Sequence, residues 1–222
     1  MGIGPIALTT YVRLASKGLL RRGQSVLELG AQVLFVEKCP HLVNHTCEAF
    51  HVPWPALMPK SSRDLMHWLG FEYWSIDLDG TYGALRDDLN EVVEFDRTFD
   101  LVTNHGTSEH VFNQAAVFET MHRAADPDGG LMLHCVPHRG YPTHSFYLYQ
   151  PEFFDDLANA NGYDKVGIWT TTDDHVKAAL VDWKRGIRDE RSGNILIVAL
   201  LRRTTTKEFV APMQGLYRGL RK

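Results

Sequence analysis

Asp100-Leu101-Val102-Thr103-Asn104 reads as a strand that runs into a polar loop, His105-Gly106-Thr107-Ser108-Glu109-His110. A helical pattern follows. Val111, Ala115, Phe118, Met121 and Ala125 are spaced 4, 3, 3 and 4 apart, the stripe of a helix facing a core. Asp126-Pro127-Asp128-Gly129-Gly130 is a turn, and Leu131–Pro137 is a second apolar strand. Strand, polar loop, helix, turn and strand make a βαβ unit, whose chemistry is expected at the strand's C-terminal end.

Working outward, Ile6, Tyr11, Leu14 and the Leu19-Leu20 pair predict an N-terminal helix, and Ser25–Leu29 a first strand. Ala31–Phe50 reads as partly helical, interrupted around Pro40. Pro53, Pro55 and Pro59 make His51–Pro59 a loop. A short helix then starts with Ser61 or Ser62 as its cap and ends at Gly70. Phe71–Ile76 is the second strand, and a short third is expected at Ala84-Leu85. Pro151–Asn161 predicts a helix closed by Gly162, and Val166–Thr171 and Ile195–Leu201 are the last strands, joined by the charged segment Asp173–Ser192. The expected fold is α/β, a Rossmann-like three-layer sandwich whose seven-stranded, mostly parallel sheet ends in one antiparallel edge hairpin. One domain is expected over 1–222, with an N-terminal helix in 1–24, a core in 25–203 and a tail in 204–222.

The 222 residues suffice to bury one substantial core. A net charge of -4 argues against a nucleic-acid partner, and no apolar stretch is long enough to span a membrane. Cys39, Cys47 and Cys135 do not make a disulfide framework, which points to a cytoplasmic protein. Arg202, Arg203, Lys207, Arg218, Arg221 and Lys222 make the C-terminal segment basic, and a solvated tail is expected there.

Val26-Leu27-Glu28-Leu29-Gly30 and the βαβ unit together resemble the core of class I S-adenosylmethionine-dependent methyltransferases of the small-molecule type. Glu28 and Gly30 match the acid and first glycine of that family's first motif. Asp77, with Asp79 as second choice, fits the acid that chelates the ribose hydroxyls. Asp88-Leu89 resembles the pair that contacts adenine, and Glu109-His110-Val111, preceded by Asn104, resembles the segment after strand four. Asp128-Gly129-Gly130 is similar to the family's turn before strand five. The resemblance thus implies S-adenosylmethionine as cofactor, held by Glu28, Gly30, Asp77, Asp88, Leu89, Asn104, Glu109 and His110. Where the family's first motif continues with two further glycines, this chain has Gln32 and Leu34, whose side chains are expected to crowd the loop.

Methyl transfer needs an aligned acceptor and, for oxygen acceptors, a base. The loop after strand five, Pro137–His144, lies where acceptors enter this fold. His138 and His144 are the expected catalytic groups, and Arg139, Tyr141, Tyr147 and Tyr149 the expected substrate-binding ones. The acceptor is expected to be a small molecule taking the methyl on oxygen or nitrogen, with no resident metal and a homodimer as a further expectation. Two other readings compete: a non-catalytic binding protein that kept the fold, and a metal-dependent transferase or hydrolase. The cluster Cys39, His41, His45, Cys47 and His51 matches no familiar zinc spacing.

Overall fold

The computed structural model describes residues 2–35, 39–172, 181–182, 184 and 193–220. Most of the charged segment 173–192, together with Arg221 and Lys222, lies outside the described residues. Helices α1 (Pro5–Ser16), α2 (Pro40–Ala49), α3 (Ser62–Leu69), α4 (Gln114–Ala124) and α5 (Pro151–Asn161) flank strands β1 (Ser25–Leu29), β2 (Glu72–Ile76), β3 (Leu101–His105), β4 (Leu131–Arg139), β5 (Asp164–Thr172), β6 (Val181–Asp182) and β7 (Ile195–Arg202). The strand order is β2-β1-β3-β4-β7-β5-β6. Pairs from β2 to β4 are parallel, and β7 runs antiparallel to both β4 and β5.

Among the described residues the sheet has six strands longer than two residues rather than the seven expected; the two-residue β6 is added at its far edge. The expected third strand at Ala84-Leu85 is a single bridge, Ile76↔Leu85. Gly80, Tyr82 and Gly83 all take positive φ, which coils the chain into a turn before it can extend alongside β2.

Alternation along the strands sorts side chains into two cores. Val26, Leu101, Leu133 and Val198 pack with α1, α2 and α3. Leu27, Val102, Met132 and Ile197 pack with α4 and α5 on the other face. The three-layer architecture follows from this pattern.

Local sequence explains most helix ends. Ser61 and Asp64 form a reciprocal capping box on α3, and Gly70 and Gly162 close α3 and α5 in the left-handed conformation. Pro40 is the first residue of α2 rather than a break within a helix, since its missing N–H costs nothing there. α4 begins later than the stripe predicts: Asn113 caps it by accepting from the Ala116 amide, and Ala115 is exposed. The loop 105–110 is thereby left free of the helix.

The basic C-terminal segment is solvated only in part: Lys207 is exposed, whereas Arg203 is packed against the fold, and Arg221 and Lys222 lie outside the described residues. Arg203 is buried, and its Nη1 donates to the carbonyls of His122 (2.7 Å) and Ala125 (2.8 Å) at the end of α4. Asn161 exchanges two hydrogen bonds with the backbone of Val210 (2.7 and 2.9 Å), which lays residues 204–210 over α4 and α5. No helix among the described residues is long and apolar enough to cross a membrane.

Candidate functional site

A cavity of about 330 Å³ opens at the C-terminal ends of β1, β2 and β3. Its wall includes Gly30, Asp77, Asp88, Leu89 and His110, all singled out from the sequence, together with Gln32, Gly106, Thr107 and Val111. Gly30 has φ +80, and a Cβ there would lie 2.7 Å from Gln32 Nε2 and against the Thr107 hydroxyl. The turn thus needs glycine for its conformation and for the close approach of the loop after β3. Asp77 is drawn to the same turn, because its Oδ2 accepts from the Ala31 amide at 2.8 Å. Asp88 is exposed at the rim, with the Asn90 amide and side chain bonded to its Oδ1. These bonds hold its carboxyl below the ordinary range.

Of the two residues expected to crowd the first motif, one does. Gln32 Nε2 donates to Thr107 Oγ1 at 3.0 Å across the glycine turn, and Thr107 in turn donates to the Leu29 carbonyl at 2.6 Å. The Gln32 amide oxygen has no partner. Leu34 turns away into the core beside α1 and α2.

Three expected cofactor residues are not on this wall. Glu28 follows the strand alternation onto the α1–α3 face, where it is fully buried. Its Oε2 accepts from Tyr73 (2.6 Å) and from Ser62, while Oε1 makes no hydrogen bond. Burial pushes its carboxyl up to about 7, against the hydrogen bonds from Ser62 and Tyr73 that favour the anion. Asn104 shapes the loop: its Oδ1 accepts from the Thr107 and Ser108 amides, and its Nδ2 donates to Ser108 Oγ at 2.8 Å.

Glu109 sits in a three-residue 3₁₀ turn, Ser108–His110, with none of its side chain exposed. Neither carboxylate oxygen has a hydrogen-bond partner. Burial raises its carboxyl to about 7. His144 Nε2 lies 3.9 Å from Oε1, too far for a hydrogen bond. The His144 ring meets that of His110 edge-to-face at 4.9 Å between centroids. Burial lowers the pKa of both imidazoles and keeps them neutral. His110 belongs both to this cluster and to the cavity wall, so the two are adjoining halves of one site.

The other residues expected at the acceptor side are held elsewhere. His138 Nδ1 bonds to the Tyr149 carbonyl at 2.8 Å. Tyr149 is buried, and its hydroxyl donates to the Gln114 amide oxygen and shares a hydrogen bond with Ser108 Oγ (2.8 Å), fastening the loop to α4. Tyr147 donates to the Phe112 carbonyl at 3.0 Å. Arg139 is exposed at the end of β4, and Tyr141 takes a positive φ beside His144. None of these five lines the cavity. Gly106 and Thr107 belong to the loop 104–110 expected at the site, though neither is named there individually; Gly106 takes φ +73 and turns the loop over the cavity. A second, apolar groove of about 650 Å³ lies nearby between Val33 and Trp54–Lys60, and its wall holds neither carboxylate nor imidazole.

No family model matches the chain, and no curated protein matches it. Solved structures do. Coclaurine N-methyltransferase, bound to N-methylheliamine and S-adenosylhomocysteine, superposes with a TM-score of 0.52 at 11% identity over 88% of this chain and 72% of that one. Phosphoethanolamine N-methyltransferase 2 of Haemonchus contortus, in complex with S-adenosyl-L-methionine, gives 0.50 at 14% identity over 92% of this chain and 54% of that one. The fold is that of class I S-adenosylmethionine-dependent methyltransferases.

Proposed function

We propose that the protein is an S-adenosylmethionine-dependent methyltransferase acting on a small-molecule acceptor. The observation that carries this reading is the convergence of Gly30, Asp77, Asp88 and Leu89 on one cavity at the strand ends. Its volume lies in the range of small-molecule sites, roughly 300–1,000 Å³. The donor set suits the cofactor's parts. Asp77 offers an acceptor to vicinal ribose hydroxyls, Asp88 one to the adenine amino group, and the unpartnered Gln32 amide oxygen one to an ammonium group. The turn at Gly30 lets backbone approach the ligand.

When bound, the cofactor supplies an electrophilic methyl group on a sulfonium. The chain's part is to bind, orient and exclude water. His110 and Val111 wall the cavity next to the His110–His144–Glu109 cluster, which is the place for the acceptor. Neutral imidazoles there can take a proton from an incoming hydroxyl or amine. His144 fits this role better than His138, because its ring packs against that of the cavity residue His110, whereas His138 is turned to the Tyr149 carbonyl.

The Gln32–Thr107 bridge across the glycine turn favours a second reading, a fold kept for binding alone. Calorimetric titration with S-adenosylmethionine and S-adenosylhomocysteine separates the two from a misassigned cavity. Micromolar binding, weakened in Asp77→Ala, is expected. Folded protein that binds neither ligand, with or without candidate acceptors, sinks the methyltransferase reading.

A further inference from the structure

We infer that Glu109, His110 and His144 form a site for one divalent transition metal, set at the mouth of the cavity. Among the described residues these are the three whose ligand atoms gather, all within 4.8 Å of one another. Two imidazoles and one carboxylate, leaving other positions open, are a donor set that suits zinc, manganese or iron better than magnesium or calcium.

Three observations separate this cluster from a chance grouping of polar side chains. First, the Glu109 carboxylate is wholly buried, yet neither oxygen finds a donor. A buried carboxyl without partners costs several kcal/mol when ionised, so native structures place an ion or a proton there. Second, His144 Nε2 is also unpartnered, and it faces that carboxylate. The Oε1–Nε2 separation of 3.9 Å is wider than the roughly 3.4 Å between tetrahedral ligands held at about 2.1 Å, a gap that a small rotation of the His144 side chain would close on an ion. Third, the backbone is braced for it. The Glu109 carbonyl accepts from the amides of Phe146 (3.0 Å) and Tyr147 (3.2 Å), which ties the loop carrying His144 to the turn carrying Glu109 and His110.

The position gives the ion a task, and this part rests on the methyltransferase reading. Because His110 also lines the cavity, an ion here would hold an acceptor through oxygen beside the cofactor's methyl group. With both imidazoles on the ion, the bound hydroxyl would lose its proton to water rather than to His144. Its oxygen pair then forms the new C–O bond while the C–S pair returns to sulfur, leaving a thioether. The substrate class is accordingly a hydroxylated molecule whose oxygen can ligate a metal, such as a phenol or an enol, rather than a simple amine.

The test uses zinc chloride with the full chain freed of metal by chelator, reading stoichiometry and Kd by calorimetry and equilibrium dialysis. One zinc per chain is expected, with magnesium binding far more weakly. Glu109→Gln and His144→Ala should each weaken zinc by at least about 100-fold, more than the loss of an outer-shell partner costs. His45→Ala, at an exposed position on α2, should leave it unchanged. If Glu109→Gln does not fold, His110→Ala replaces it. Absence of stoichiometric zinc, or wild-type affinity in either ligand variant, overturns the site. Titration with S-adenosylmethionine on the same samples keeps the two readings apart: cofactor binding without zinc removes only the metal site, and zinc without cofactor binding removes only the acceptor role.

Discussion

The carboxylate of Asp77 accepts a hydrogen bond from the Ala31 amide across 2.8 Å, joining the end of β2 to the turn that follows β1. The acid thus has two tasks, to hold the glycine turn and to present its free oxygen to the cavity. Asp77→Ala should lose both and weaken cofactor binding by about 10- to 100-fold, the scale of a hydrogen bond to a charged group. Asp77→Asn keeps an acceptor for Ala31 and should lose less. Calorimetry on the two variants measures the difference.

Gly30→Ala tests the turn itself. The added Cβ would meet the Thr107 and Gln32 side chains, and alanine is strained at φ +80. A loss of about 1–2 kcal/mol in stability is expected, with weaker cofactor binding. Urea denaturation and titration report the two effects separately.

Glu28 gives the protein a pH dependence. Its folded pKa of about 7 lies above the ordinary 4.5, so the native state holds the proton more tightly than the unfolded chain. Its contribution is therefore full below about 4.5 and is lost as pH rises towards 7. Glu28→Gln cannot titrate, and the variant should flatten the decline, by roughly 1–3 kcal/mol between pH 5 and 8. Denaturation curves at the two pH values check the sign.

Arg203→Met should destabilise by about 2–3 kcal/mol, because the carbonyls of His122 and Ala125 would be left buried without a donor. Cofactor affinity should not change, since Arg203 lies away from the cavity wall. Thermal melting beside titration distinguishes the outcomes.

His138→Ala should lower stability by about 1 kcal/mol through the lost bond to the Tyr149 carbonyl, while leaving zinc and cofactor binding intact. Parallel loss of either ligand would return His138 to the site.

Regular patterns made much of this legible from the amino acids. The helix cap at Ser61, one of the two serines expected, the glycine stops at Gly70 and Gly162 and the apolar runs at β1, β3 and β7 act through local chemistry. Gly30, Asp77, Asp88, Leu89 and His110 reach the cavity because strand ends fix where they go. What was not legible depends on contacts between distant segments. Glu28 is a site residue by position along the strand, but alternation turns its side chain to the opposite layer, where Tyr73 and Ser62 receive it. Arg203 reads as one of several basic residues, and only the end of α4 makes it a cap. Tyr149 reads as pocket wall, and only the fold of 145–150 shows its hydroxyl bound to Ser108.

The sheet order also bears on how the chain comes together. β7 is the last strand along the sequence, yet it occupies an interior lane between β4 and β5. Until residues 195–202 have left the ribosome, β5 has no neighbour through which to join the growing sheet, and β4 presents a bare edge. Closure is therefore a late, long-range event, of the kind that is slow and exposes sticky edges meanwhile. A nascent chain halted before β7 should remain an incomplete sheet prone to self-association, whatever the state of the cavity at its other end.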